Sequence, residues 1–255
     1  AARQLLHLRR RHLLFFVFYG LLLAIFNSLW TVSVALNGAA VATVLIYISP
    51  AFTALIGWHW LGERMTVAKI AAIALSLIGC VFASGANDPS VWRVNSMGIT
   101  IGLGTGLAFT CYGLLGKASS GKGINPWTAT LYTFAFGSAF LLLLQRPATL
   151  FWLSRPVAGG AGGWREAVLG WGMIVLLAVG PTLGGYGLYT VSLTYLPTST
   201  ANLIITLEPA MTAALAFLFL GERLTLAQIL GSAVTLLGVF LLRVSDRATM
   251  GSDLS

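Results

Sequence analysis

Residues 205–212 read ITLEPAMT, which sets a carboxylate and a proline side by side within an apolar run. Of the seven acidic residues, Asp88, Asp246, Asp253, Glu63, Glu166, Glu208 and Glu222, Glu208 alone lies deep in such a run. A charge held in hydrocarbon is costly unless it is paired, neutralised by a proton or turned toward water, so an acid in this position is expected to do something. Two kinds of chemistry suit it: binding the ammonium group of a solute, or taking up and releasing a proton. A permanently protonated Glu208 making one structural hydrogen bond is the competing reading.

Residues 201, 205, 208 and 212 are spaced to share one helical face, which adds Thr212 to the site. Pro209 has no N–H and should leave the carbonyl of Ile205 without its helical donor, and Pro50 should do the same to Ile46. Freed carbonyls are tolerated at membrane depth where they face protein or a wet cavity. Asn27 and Trp30 are one helical turn apart, as are Tyr186 and Tyr189, so side chains with an apolar body and a polar tip recur as pairs. These pairs suit the wall of a cavity for an amphipathic solute, or equally hydrogen bonding between helices. Asn202 and Tyr112 are further candidates of the same kind.

The elements that must position these residues are set by composition. The chain has 255 residues, of which 57% are hydrophobic and 9% charged, and its mean hydropathy is +0.87. A soluble domain carries about 25% charged residues, so this is an integral membrane protein. Crossing about 30 Å of hydrocarbon takes about 20 apolar residues in a helix that satisfies its own backbone. Eight segments meet that need, near residues 13–36, 39–61, 67–85, 97–116, 126–145, 167–193, 198–220 and 226–243. The connections are short except for 146–166, whose RPVAGGAGGW reads as a flexible loop. The fold class is therefore all-α and membrane-embedded.

Charge and composition also exclude several functions. The net charge of +8 comes from basic residues lying between apolar runs, where they set orientation in the lipid bilayer and do not point to nucleic acid. With the first segment starting inside, ten of the 15 basic residues fall on the inner side and five on the outer, which places both termini in the cytoplasm. Cys80 and Cys111 fall within apolar segments and read as small packing residues. With His only at 7, 12 and 59 and one deep carboxylate, no nucleophile–base pair, paired carboxylates or metal set can be assembled, so neither an enzyme, a cofactor nor a metal site is indicated.

The sequence repeats itself. Sliding it by 159 residues lays TVS at 31–33 on TVS at 190–192, Pro50 on Pro209, LGER at 61–64 on LGER at 220–223, and Gly79 on Gly238. Residues 31–80 then match at 19 of 50 positions without a gap, and the shared Pro, Gly, Glu and Arg are not effects of apolar composition. The offset spans five segments, an odd number of crossings, so the two halves enter the membrane from opposite faces. Inverted repeats of this kind build secondary transporters, with the solute site near the midplane between the halves. The same offset sets Glu208 against Ser49, Thr212 against Thr53, and the tyrosine pair against Asn27 and Trp30.

A proline inside a helix, then LGER, then a helix with a late glycine, once in each half, resembles the EamA family of the drug/metabolite transporter superfamily. The resemblance implies an inverted-repeat bundle of ten helices in two five-helix units. On that pattern residues 1–85 are an incomplete first unit holding family helices three to five, 97–243 a complete second unit, and 244–255 a cytoplasmic tail. The first two family helices are missing from this chain, and further sequence is expected upstream of Ala1. The resemblance also implies a secondary transporter of a small-molecule metabolite in the inner membrane, working by alternating access. Export of amino acids or related metabolites is the leading expectation; protons are a candidate partner through Glu208, and the coupling ion and oligomeric state are open. Uptake of a metabolite, or efflux of an amphipathic cation, is the alternative, and a structural membrane subunit without transport is the reading from a different class.

Three remaining features have plain structural readings. Gly98, Gly102 and Gly106 are four apart, as close helix packing requires. Thr225 and Gln228 have the spacing of a capping box at the start of the last helix. Trp58, Trp60, Trp127 and Trp171 sit near segment ends as interfacial anchors, with His59 among them.

Overall fold

The structure is a computed structural model that describes residues 10–60, 65–91, 96–144, 164–221 and 223–252. Among these residues every regular element is helical. In chain order they are α1 (Leu13–Asn37), α2 (Ala39–Ile46), α3 (Ser49–Trp60), α4 (Val67–Ala83), α5 (Ser96–Gly121), α6 (Pro126–Leu144) and α7 (Trp164–Leu177). There follow α8 (Tyr186–Tyr195), α9 (Thr198–Ile205), α10 (Glu208–Leu215) and α11 (Leu226–Ser252), with short 3₁₀ turns at Arg10–His12 and Pro89–Val91. The first LGER, Glu222 of the second, and most of the 146–166 loop lie outside the described residues.

Among the described residues, six helical stretches are long and apolar enough to cross a membrane: Leu13–Asn37, Ala39–His59, Ser96–Gly121, Pro126–Leu144, Val168–Tyr195 and Thr198–Phe219. Val67–Ala83 and Leu226–Leu241 are shorter apolar helices. At 1.5 Å per residue the 17 residues of α4 span only about 26 Å, which is why length alone does not qualify it. The fourth expected segment, 97–116, also differs, because α5 continues as a single helix to Gly121.

Two of the crossings are broken. The first ends as α2 at Ile46 and restarts as α3 at Ser49, and the second ends as α9 at Ile205 and restarts as α10 at Glu208. Both breaks fall just before the proline: α2 ends at Ile46 and α9 at Ile205, the residues four before Pro50 and Pro209 whose helical donor a proline cannot supply. Each proline is the second residue of the new helix, where an N–H has no intrahelical partner in any case. The chain tightens instead. Ile48 N–H donates to the Leu45 carbonyl at 3.4 Å and Leu207 N–H to that of Ile204 at 3.1 Å, before Ala51 and Met211 pick up the carbonyls of Ile48 and Leu207. The expectation that 201, 205, 208 and 212 share one helical face is corrected, since 201 and 205 lie on one helix and 208 and 212 on the next. The chain from α7 to α8 passes through a π-helical stretch, Ala178–Gly185, with Pro181 inside it. A missing donor within a helix is a sufficient cause for that widening.

The residues fall into two compact units, one of Ala1–Ala24 with Leu115–Tyr195 and the other of Ile25–Leu114 with Leu196–Ser255. In the first, α1 and α6 meet where Gly20 and Gly137 remove side-chain bulk: a Cβ on Gly20 would lie 2.4 Å from Phe136 Cβ. Lys117 there donates to the Leu193 carbonyl at 2.8 Å, satisfying the end of α8, and the Lys122 ammonium lies 3.8 Å from the centre of the Phe15 ring.

In the second unit, α4 and α11 are the tightest pair. A Cβ on Gly79 would come within 2.3 Å of Thr235 Oγ1, and one on Gly238 within 2.5 Å of Ser76 Oγ. Gly79 and Gly238 are counterparts across the 159-residue offset, as are Ser76 and Thr235, so the same contact occurs twice with roles exchanged. Ala72 meets Gly238 while Ala83 meets Gly231, so the counterpart helices run antiparallel. Each is capped alike: Thr66 Oγ1 accepts from Lys69 N–H at 3.2 Å, and Thr225 Oγ1 from Gln228 N–H at 3.2 Å. The Gln228 side chain closes the box by accepting from Thr225 N–H at 2.9 Å. Gly221, in the second LGER, makes the turn before α11 at φ 69°, a conformation that suits glycine.

Candidate functional site

The two broken helices meet inside the second unit. Tyr47, in the first break, donates its phenolic O–H to Glu208 Oε2 at 2.6 Å. Asn202 Nδ2, on α9, donates to Thr53 Oγ1, on α3, at 2.9 Å. Tyr47 precedes Thr53 while its partner Glu208 follows Asn202, so these helices also run antiparallel with their breaks opposed.

Behind these two bonds is a polar core. Thr53 donates its own hydroxyl to the Ser49 carbonyl at 2.8 Å, and Thr110, from α5, has its hydroxyl 3.1 Å from the same carbonyl and 3.4 Å from Thr53 Oγ1. Asn202, Thr53 and Thr110 are 1%, 2% and 0% exposed. Buried polar groups are affordable when hydrogen-bonded, and an interhelical bond of this kind in a membrane contributes about 0.6 kcal/mol on average. The α5 glycines bring the helix close enough to do this: a Cβ on Gly106 would lie 2.9 Å from the Leu45 carbonyl, and one on Gly102 2.3 Å from Leu45 Cδ1. Gly98 completes the row by accepting from Asn37 Nδ2 at 2.9 Å.

Glu208 is built differently from its surroundings. Its side chain is exposed on the protein surface, as is that of Thr212, while Tyr47 is buried. The tyrosine packs with Val44, Cys80 and Ala86, and Ile205 lies against the same cluster. A glutamate side chain can accept at both oxygens, and the Tyr47 phenol at 2.6 Å occupies one of them.

The other residues singled out by sequence are placed as follows. Asn27 and Trp30, on α1, are half-buried in the second unit, and the Asn27 carbonyl accepts from Thr31 Oγ1 at 2.9 Å. Tyr112 is fully buried on α5, its ring stacked on Phe109 with centroids 6.3 Å apart. Tyr186 and Tyr189, at the start of α8, are half-buried in the first unit, where the Tyr186 ring meets Phe134 edge-on at 5.1 Å. Cys80 is buried and Cys111 half-buried, and both are free thiols. Trp58, Trp127 and Trp171 are exposed as anchors would be, although Trp127 also covers Gly187, whose Cβ would meet the indole at 2.3 Å. Among the described residues no cluster of three or more His, Cys, Asp or Glu could hold a metal ion.

Sequence reasoning missed Tyr47 and Thr110. The signal for Tyr47 was its place three residues before the repeated proline, beside the break; its counterpart across the repeat is Thr206, so the match drew no notice.

The profile described as the EamA-like transporter family matches residues 2–85 and 96–244. An uncharacterized transporter of Archaeoglobus fulgidus is 28% identical over 223 residues, covering 86% of this chain and 74% of that protein. The threonine/homoserine exporter RhtA of Escherichia coli strain K12 is 28% identical over 239 residues, covering 94% of this chain and 70% of the exporter. Its counterpart in Salmonella typhimurium strain LT2 is 30% identical over 214 residues, covering 84% and 65%. A solved crystal structure superposes with a TM-score of 0.72 at 14% identity, over 96% of this chain and 80% of that one, a likeness of fold.

Proposed function

The chain belongs to the EamA-like transporter family, and from that premise we propose that it is a secondary carrier exporting small amino acids or related metabolites across the cytoplasmic membrane. The observation that carries this reading is the pairing of two broken helices from opposite halves of the repeat, with Glu208 exposed at one break and held by a bond from the other. Helices broken at membrane depth, joined across a repeat and carrying an acid, are the parts from which carriers build solute sites. The antiparallel runs of α4 with α11, and of α2–α3 with α9–α10, support an inverted repeat. Eight crossings, the repeat boundaries at 1–85 and 97–243, and cytoplasmic termini belong to the same proposal.

The relatives named as threonine/homoserine exporters point to a solute with an ammonium and a hydroxyl on a small frame. Glu208 supplies the charge complement for the ammonium, and Thr212, one turn further along α10, is a nearby hydroxyl on an exposed position. Counterflow of labelled L-threonine and L-homoserine in proteoliposomes, across a panel of other metabolites, tests it. Saturable exchange of a small amino acid that falls steeply in Glu208→Gln supports the reading. Exchange confined to solutes without an ammonium, or an unchanged rate in the variant, removes it.

A further inference from the structure

We infer that Tyr47 is the positioning residue of the solute site: it fixes one oxygen of Glu208 so that the other is presented to a solute's ammonium. This rests on the reading of Glu208 given above and extends it to the opposite half of the repeat. The side chain that orients the acid comes from a position 161 residues earlier in the chain.

The two partners are unequal in a way that suits this division of roles. Tyr47 is 4% exposed and its ring is packed among Val44, Cys80 and Ala86, while its backbone is fixed by the N–H bond to the Thr43 carbonyl at 3.2 Å. Glu208 is exposed and is the first residue of α10, so its side chain has room that the tyrosine lacks. A long acidic side chain loses rotamer freedom when it binds a ligand, and a hydrogen bond already made to a rigid partner removes part of that loss. Oε2 is taken by the phenol, which leaves Oε1 to accept from a cation.

The counterpart position shows what the tyrosine adds. Ser49 is the repeat equivalent of Glu208, is 1% exposed, and its hydroxyl has no hydrogen-bond partner among the described residues. The residue equivalent to Tyr47 is Thr206, whose hydroxyl donates to the Leu203 carbonyl of its own helix at 2.6 Å. The reciprocal bond is therefore absent, and the Tyr47–Glu208 bond is a one-sided feature laid on a two-sided scaffold. Of the neighbouring ionisable groups, the Cys80 thiol shares the packing cluster of Tyr47, and residues 226–242 of α11 contain none.

The test is a two-by-two comparison in proteoliposomes of the parent protein, Tyr47→Phe, Glu208→Gln and the double variant, with L-threonine and L-homoserine as probes. Tyr47→Phe keeps the buried ring and deletes only the hydroxyl. It is expected to raise KM on the order of tenfold, the size of one hydrogen bond to a charged group, with Vmax within about twofold. In the Glu208→Gln background the same change is expected to do almost nothing, because the phenol acts through the acid. Monodispersity in detergent confirms that each variant is folded. An unchanged KM in Tyr47→Phe while Glu208→Gln raises it overturns this inference and leaves the acid's role standing, as does an equal effect of Tyr47→Phe in both backgrounds. If Glu208→Gln leaves KM unchanged, or neither amino acid exchanges, the reading of Glu208 fails and this inference fails with it.

Discussion

The broken helix α2–α3 and its repeat counterpart α9–α10 share a proline two residues into the second piece, the same pair of small residues at Ala42 and Ala201, and the same threonine at 53 and 212. Their environments are opposite. Ser49 and Thr53 are 1% and 2% exposed beneath α5, whose Thr110 hydroxyl lies 3.1 Å from the Ser49 carbonyl. Glu208 and Thr212 are exposed. On the proposed reading, the break itself is scaffold, available to both halves, and chemistry is added where the covering helix does not lie over it. The first break reaches the second through the Tyr47 hydrogen bond to Glu208.

If this division is right, damage to the covered side should act on folding and damage to the open side on transport. The largest effect expected is from Gly106→Leu, which forces a side chain against the Leu45 carbonyl, backbone that cannot turn aside. A loss of about 3 kcal/mol or more is expected, read as failure to recover monodisperse protein. Gly172→Leu on α7, where nothing lies within 4 Å of the added Cβ, should leave yield and thermal stability unchanged.

Next is Asn202→Ala, which takes a donor from the buried Thr53 hydroxyl and empties a filled position. The bond alone is worth about 0.6 kcal/mol in a membrane and the unpaired group adds to it, so a loss of about 1–2 kcal/mol is expected in a detergent unfolding titration. Thr225→Ala removes a reciprocal cap at the start of α11, exposed to solvent, and should cost about 1 kcal/mol by the same assay. The smallest effect is reserved for Ser49→Ala. A buried hydroxyl without a partner among the described residues contributes no hydrogen bond, so its removal should shift stability by less than about 0.5 kcal/mol. A large loss there would mean that the covered break has a partner beyond the described residues.

How much of this was legible in the sequence depends on the range of the interaction. Capping at Thr225 and Gln228 and close packing at Gly98, Gly102 and Gly106 rest on neighbours three or four residues apart or on the absence of a side chain, and both were readable from spacing. The depth of Glu208 in an apolar run was readable for the same reason. The position of each break was not, because periodicity ran on through Tyr47–Ile48 and Thr206–Leu207, and a proline is as compatible with the second position of a new helix as with the middle of an old one. The single face drawn through 201, 205, 208 and 212 failed on that point. Tyr47 was missed because an aromatic residue in an apolar run looks like packing, and nothing local marks a partner 161 residues away. Alignment of the two halves paired Tyr47 with Thr206, so the repeat concealed the asymmetry that matters here.

The central claim is that counterpart positions 49 and 208 have separate roles, one in the scaffold and one at the solute. Counterflow of labelled L-threonine by Ser49→Ala and Glu208→Gln, side by side in proteoliposomes with equal amounts of folded protein, tests it most directly. The account predicts exchange within about twofold of the parent for Ser49→Ala and a fall on the order of a hundredfold in Vmax/KM for Glu208→Gln, the size of a lost charge-assisted contact of about 3 kcal/mol. Equal losses in the two variants, or parent-level exchange in Glu208→Gln, would contradict it.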